Sequence, residues 1–300
     1  MKKQIITIKP KPPYDIRSHW ETYSSKNPQP QICENGVYRR ALRIGNQKLI
    51  PFDVHLNDNV NDPRLDISIY SKVTESEQKE LINKIRWIFN TEYDLNPLYK
   101  FMESDPLLKE IKNKHYGLKP DFCSKVYEGT IKAIIQQQIS LRMAWTMTWR
   151  VIQKFGDCIK KDGQEFWEFP SPKKLSEAKI EEIRECKLSG RKAEYIIDFS
   201  KLVSENKFDS ESLKKLNHDE IIDRVTQIRG LGRWSAETVI VTSIGFENMN
   251  PAGDLGARKA ISHFYNKDNL MSEEEVRKFT EKWGKYKGII NYYLIADVLH

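Results

Sequence analysis

Two glycines two residues apart stand out in Ile228-Arg229-Gly230-Leu231-Gly232-Arg233-Trp234-Ser235-Ala236, a stretch set between two helical patterns. They let the chain turn tightly and leave backbone N–H groups without partners at the start of the next helix. Such donors, with the positive end of the helix behind them, can hold a phosphate without reading a base. A plain helical connection whose glycines serve positive φ has the same spelling, so the spacing alone leaves both readings open. Twenty residues beyond Trp234, the segment Asn250-Pro251-Ala252-Gly253-Asp254-Leu255-Gly256-Ala257-Arg258-Lys259 sets Asp254 at the entrance of a new helix, after a Pro/Gly loop. A carboxylate there can cap the helix, which is worth about 1 kcal/mol. It can also balance positive charge that develops on a substrate, and the two uses are compatible.

The elements that position these residues follow from periodicity. Up to about residue 72 the chain reads as strands and loops: Leu65, Ile67 and Ile69 alternate with polar residues, Val37 to Ile44 is a less regular strand, and Gly45-Asn46 and Leu56 to Pro63 supply turns. Thr74 and Glu77 form a capping-box pattern ahead of Leu81, Ile85 and Ile88, which predicts one helix over one face of a small antiparallel sheet. From about residue 97 strand patterning stops. Lys132 to Phe155, Lys192 to Val203 and Asp219 to Ile228 read as apolar-periodic helices, punctuated by Pro170-Ser171-Pro172 and Ser189-Gly190, so the second part is expected to be all-helical.

Composition narrows the partner. At 300 residues the chain is long enough for two domains, and 39% hydrophobic with 30% charged residues excludes a fibrous or disordered protein. No window of 18 apolar residues occurs, and the apolar run in Met1-Lys2-Lys3-Gln4-Ile5-Ile6-Thr7-Ile8-Lys9 is too short for a signal peptide, so the expectation is a protein neither secreted nor membrane-spanning. A net charge of +7 suits a polyanionic partner, although many basic enzymes have none. Cys33, Cys123, Cys158 and Cys186 are far apart and form no CxxC pair, which argues against zinc and iron–sulfur sites.

Taken in order, Gly-Leu-Gly-Arg-Trp-Ser-Ala, an apolar helix and then Pro-Ala-Gly-Asp-Leu-Gly resemble the helix-hairpin-helix, Gly/Pro-rich loop and aspartate (HhH-GPD) signature of the DNA glycosylase superfamily. Within it the chain is most similar to the alkylation-repair glycosylases of the AlkA type, 3-methyladenine DNA glycosylase II. The likeness extends to Pro12-Pro13-Tyr14-Asp15, to Ala133-Ile134-Ile135-Gln136-Gln137-Gln138-Ile139-Ser140 and to Gly190-Arg191-Lys192-Ala193, so it covers nearly the whole chain.

The resemblance implies an α+β protein with an N-terminal antiparallel sheet domain over 1–98 and a larger all-α HhH-GPD region over 99–300, its cleft between two helical lobes. It implies an enzyme that flips a damaged nucleotide from double-stranded DNA and breaks the base–sugar bond, with Asp254 beside the cationic sugar. Glycosylases that also cut the backbone carry a lysine where this chain has Trp234, so the resemblance implies release of alkylated purines without strand cleavage. A tryptophan can stack on a cationic purine, and its alternative is a core aromatic of an amphipathic helix.

The remaining pocket positions become Thr238 and Ile295, where the family often has tyrosine and tryptophan; Trp20 or Tyr23 could restore an aromatic from the N-terminal lobe. Gln138 matches the residue that fills the hole left by the flipped base, with a solvent-facing helix end as its alternative. Gly230, Gly232, Arg233, Arg191 and Lys192 fall at DNA-contacting positions, the last two equally readable as solvated surface. No metal or organic cofactor for catalysis, a monomeric state and a cytoplasmic, nucleoid-associated or nuclear setting complete the expectation. The alternatives are a glycosylase for oxidised or deaminated bases (8-oxoguanine, hypoxanthine, uracil) and a damaged-DNA-binding protein without catalysis.

Overall fold

Alternation of apolar residues builds the N-terminal sheet. The computed structural model describes residues 4–23, 28–45, 47–57 and 59–299, without the side chains of residues 21–23. Strands β1 (Gln4–Ile8), β2 (Ile32–Glu34), β3 (Val37–Ile44), β4 (Lys48–Leu56) and β5 (Leu65–Ile69) form one antiparallel sheet in the order β1-β5-β4-β3-β2. The β4–β5 register sets Val54 opposite Ile67 and Phe52 opposite Ile69, and all four are buried with Leu65. Asn46 and Asp58, which the sequence places in turns, lie outside the described residues.

Two helices pack into this core rather than the one expected. Helix α1 (Ile16–Tyr23) contributes Ile16 and Trp20, and α2 (Glu75–Ile88) contributes Leu81, Ile85 and Ile88. The capping box of α2 forms as read: the Glu77 amide donates to Thr74 Oγ1 at 3.2 Å, and the Thr74 amide donates to Glu77 Oε2 at 2.8 Å. With only eight residues and two deeply buried apolar side chains, α1 offers too little periodicity to be recognised from sequence.

Beyond Phe89 the chain changes core. The rest comprises α3 (Asn96–Met102), α4 (Pro106–Lys114), α5 (Val126–Gln136), α6 (Leu141–Phe155), β6 (Asp157–Lys161), β7 (Gln164–Glu168), α7 (Pro172–Ser176), α8 (Ile180–Glu185), α9 (Gly190–Ser204), α10 (His218–Thr226), α11 (Arg233–Ser243), α12 (Leu255–Tyr265), α13 (Glu273–Thr280) and α14 (Lys287–Leu299), with short 3-10 turns at Ser210–Lys215 and Glu281–Tyr286. One apolar cluster is drawn from Val126 to Met249. A second joins Leu95–Phe122 to Phe246–Ala296, so α3 and α4 belong with the C-terminal helices and the lobe between them is inserted. The architecture is α+β, as expected.

Two expectations about the helical part are corrected. It is not purely helical, because β6 and β7 form a hairpin around Asp162 (φ 51°) and Gly163 (φ 76°). Asp-Gly is a strong two-residue hairpin signal, and the apolar helix before it masks the short strands. The Lys132–Phe155 stretch is also two helices. Helix α5 stops at Gln136, Gln138 takes φ 57°, and Ser140 restarts the chain as α6 by accepting the Met143 amide at 3.3 Å. Both halves are apolar-periodic, so the periodicity runs through the break.

A buried ionic joint ties sheet to helices. Arg40 on β3 donates to Glu128 Oε2 on α5 at 2.8 Å, while Lys132 donates to Glu128 Oε1 at 2.8 Å. Ser124 Oγ completes the set on Glu128 Oε2 at 2.7 Å. Burial alone would push Glu128 up, but the two cations and their hydrogen bonds hold it at about 2.

Candidate active site

Helices α10 and α11 meet at the Gly-Leu-Gly turn, and the two glycines there do different work. Gly230 has φ 88°, and a Cβ on it would lie 2.3 Å from the Tyr195 ring of α9, so no other residue fits without displacing that ring. Arg229 covers the ring at 5.4 Å and is itself held by Glu194 and Asp198 at 2.6 and 3.0 Å. Gly232 is the N-cap of α11, makes no side-chain cap, and has nothing within 4 Å of its Cβ direction. The approach to the start of α11 is therefore open on that side, as phosphate capture requires.

The end of α5 is fastened to this turn by a residue that sequence reading missed. Gln137 Nε2 donates to the Gly230 carbonyl at 2.7 Å and to Ser235 Oγ at 3.1 Å. The neighbouring Gln138, exposed and in left-handed backbone, is turned out of the protein beside it. In Gln136-Gln137-Gln138 nothing but register separates the tether from the presented side chain. Lys192, expected as surface or phosphate contact, reaches back instead: its ammonium donates to the carbonyls of Ile135 and Gln137 at 2.7 and 2.6 Å. It closes the open end of α5, and partial burial lowers its pKa. Arg191, one residue earlier, is exposed.

Arg233 also has a partner. Its Nε donates to Glu237 Oε1 at 2.9 Å, an oxygen shared with Arg277 Nη1 at 2.8 Å, and Arg277 Nη2 reaches Glu273 at 2.8 Å. Glu273 in turn lies 3.0 Å from where a Cβ on Gly253 would stand. This chain of charges runs from the glycine turn to the underside of the Pro-Ala-Gly-Asp loop.

Asp254 caps α12 and faces α11 at once. Its Oδ1 accepts the Ala257 amide at 2.9 Å, and its Oδ2 accepts the indole N–H of Trp234 at 3.3 Å. A side chain at 256 would stand 3.0 Å from Asp254 Oδ1, and glycine there leaves the carboxylate approachable. Both uses read from sequence, cap and charge partner, are thus geometrically available together.

Below Trp234, the buried Thr238 and then Thr242 continue the same face of α11. Thr242 Oγ1 donates to the Thr238 carbonyl at 2.8 Å, and the Cys123 amide donates to the Thr242 carbonyl at 2.8 Å. Ile295 is half-buried on α14, against the second helical core. Trp20 does not supply an aromatic from the N-terminal lobe: it is buried against Tyr38 and Phe89 at centroid distances of 5.6 and 5.9 Å. The Tyr23 side chain lies outside the described residues. Instead, His19 joins the lobes. Its Nε2 pairs with Asp121 at 3.0 Å and its Nδ1 meets the hydroxyl of Tyr292 on α14 at 2.5 Å. Burial would raise the Asp121 carboxyl, but His19 and, further off, Lys132 hold it below the ordinary value.

A sheet domain, two helical lobes, a glycine hairpin and a helix-capping aspartate reached by a tryptophan from the other lobe together match a known architecture. Over 98% of each chain, and with a TM-score of 0.86 at 29% identity, it is that of the solved 3-methyladenine DNA-glycosylase from Archaeoglobus fulgidus. The chain belongs to the HhH-GPD superfamily of base excision DNA repair proteins, whose profile matches residues 131–285, just over half of the sequence. It is 26% identical over 267 residues to the DNA-3-methyladenine glycosylase of Bacillus subtilis (strain 168), covering 87% of this chain and 86% of that one. It is 28% identical over 173 residues to DNA-3-methyladenine glycosylase 1 of Schizosaccharomyces pombe, covering 56% and 70%.

Proposed function

We propose that the protein is a monofunctional DNA N-glycosylase that flips alkylated purines of the 3-methyladenine and 7-methylguanine type out of the duplex and hydrolyses the base–sugar bond. The observation that carries this reading is the Trp234–Asp254 pair. It sets a carboxylate at a helix start beside an indole, with no amine at position 234 to form a Schiff base. Asp254 balances the oxocarbenium charge as the bond breaks and water adds to the sugar. Trp234 stacks on the departing cationic purine, a contact of about 1 kcal/mol or more when desolvated.

Around them, the turn at Gly230 and Gly232 receives a backbone phosphate, Arg191 stands by as a second phosphate contact, and Gln138 fills the vacated place in the duplex. Lys192 acts through Gln138, because it fixes the helix end from which that residue projects. The protein works as a monomer.

The test is incubation with methylated duplex DNA, reading free base by chromatography and strand integrity before and after alkali, with borohydride trapping in parallel. Free methylpurine, strands that break only in alkali and no trapped adduct are expected. A borohydride adduct would refute the monofunctional assignment, and absence of any released base would refute the glycosylase.

A further inference from the structure

Glu237 on α11 is fully buried although it carries a carboxylate, and the chemistry of Asp254 and Trp234 leaves it unused. Its Oε2 bonds to nothing among the described residues, so both of its cations, Arg233 Nε at 2.9 Å and Arg277 Nη1 at 2.8 Å, converge on Oε1. The two arginines belong to different cores. Arg233 opens α11, whose Ala236, Val239 and Ile240 pack in the inserted lobe, while Arg277 stands on α13, whose Val276 packs with the C-terminal helices. The second arm of Arg277 holds Glu273 Oε1 at 2.8 Å, and the other oxygen of Glu273 lies 3.0 Å from the Cβ position of Gly253, the residue before Asp254.

We infer that Glu237 is a positioning residue that couples capture of a DNA phosphate by Arg233 to the hold on the Asp254 loop, with Arg277 as the link. The inference rests on the glycosylase reading, which brings a phosphate to the glycine turn and gives Asp254 its role.

The coupling arises because one oxygen serves two cations. The Arg233 side chain is 54% exposed, and neither of its Nη groups has a partner among the described residues. A phosphate at the start of α11 can therefore take the Nη edge while Nε stays on Glu237. Sharing its charge with the phosphate weakens the hold of Arg233 on Glu237, and a buried carboxylate must then be balanced by the cation that remains. That cation is Arg277, so phosphate capture draws α13 toward α11 and keeps Glu273 against Gly253. Trp234, on the same helix as Glu237, already holds the Asp254 carboxylate at 3.3 Å, so the loop is secured at two adjacent residues. Linkage gives the reverse effect the same sign. Without Arg277, Glu237 depends on Arg233 alone and competes with the phosphate for it.

A merely structural bridge between lobes would show the same contacts, so the test is a double-mutant cycle. Affinity for an abasic duplex and single-turnover release from a 7-methylguanine duplex are measured for the wild type, Arg233→Ala, Arg277→Leu and the double variant, with thermal melting followed in each. Arg277→Leu should weaken binding roughly fivefold in the wild type and less than about twofold once Arg233 is alanine. It should also slow release roughly tenfold. Arg277→Lys keeps a cation for Glu237 but cannot fork to Glu273, so binding should stay within about twofold of wild type while release remains slow. This variant also keeps the test open if Arg277→Leu does not fold. Equal weakening of binding in both Arg233 backgrounds, weakening in neither, or wild-type release by Arg277→Lys would overturn the coupling while the glycosylase reading stands. A wild type that releases no base would overturn the glycosylase reading, and the cycle on binding would still decide whether Glu237 couples the two arginines.

Discussion

The indole N–H of Trp234 donates to Asp254 across the gap between two separately packed helical cores, 3.3 Å from donor to acceptor. One oxygen of the carboxylate is thus aimed by a neighbouring helix, while the other is fixed by the first turn of its own. Position and charge are set by different parts of the fold and can be perturbed separately.

Asp254→Asn keeps an oxygen for the Ala257 amide and removes the charge. Base release should fall at least a hundredfold, while melting stays within about 2 °C and affinity for an abasic duplex holds or rises, since an anion near phosphates is gone. Release assays beside fluorescence anisotropy check this. Parallel loss of release and binding would reduce Asp254 to a cap.

Trp234→Phe retains a ring for stacking but has no N–H to donate. The carboxylate then loses its second anchor, and kcat should drop roughly tenfold with KM little changed, whereas Trp234→Leu should raise KM as well. Steady-state kinetics on a 7-methylguanine duplex separates the two effects.

The two glycines of the hairpin should respond in opposite ways. Gly230→Ala forces a methyl into the Tyr195 ring at positive φ and should cost about 2–4 kcal/mol of stability. Gly232→Ala meets open space, should change stability by no more than about 1 kcal/mol, and should weaken duplex binding roughly tenfold by crowding the start of α11. Urea unfolding and anisotropy together read both predictions.

The buried Glu128 makes stability depend on acid. Its folded pKa is about 2 against an ordinary 4.5, so its contribution is complete above about pH 4.5 and is lost as pH falls toward about 2. Glu128→Gln removes that dependence and leaves the buried Arg40 with the more distant Glu168, at 3.7 Å, as its carboxylate partner. At pH 7 the variant should be less stable by about 3–5 kcal/mol, and the difference should shrink across that acid window in urea titrations.

Much of this was legible in the residues. Alternation at Leu65, Ile67 and Ile69 gave the sheet, the Thr74–Glu77 spacing gave the start of α2, and the glycine turn with Asp254 gave the centre of the candidate site, because each is a local pattern. Short elements were illegible where a longer signal covered them, as with the Asp162-Gly163 hairpin and the break at Gln138. Contacts distant in sequence were illegible for another reason: nothing at His19 announces Asp121 or Tyr292, and nothing at Lys192 announces the carbonyls of α5. Trp20 shows the converse, an aromatic whose type suits a pocket and whose place is a core.

The insertion of one helical lobe into the other sets an order on synthesis. Leu95 to Phe122 emerge early but share a core with Phe246 to Ala296, so they must wait on the ribosome for partners more than a hundred residues downstream. The sheet domain and the inserted lobe have all their own residues before then. The aspartate and the helix behind it follow only after both of these, so a nascent or truncated chain ending before α12 carries the glycine hairpin and no Asp254.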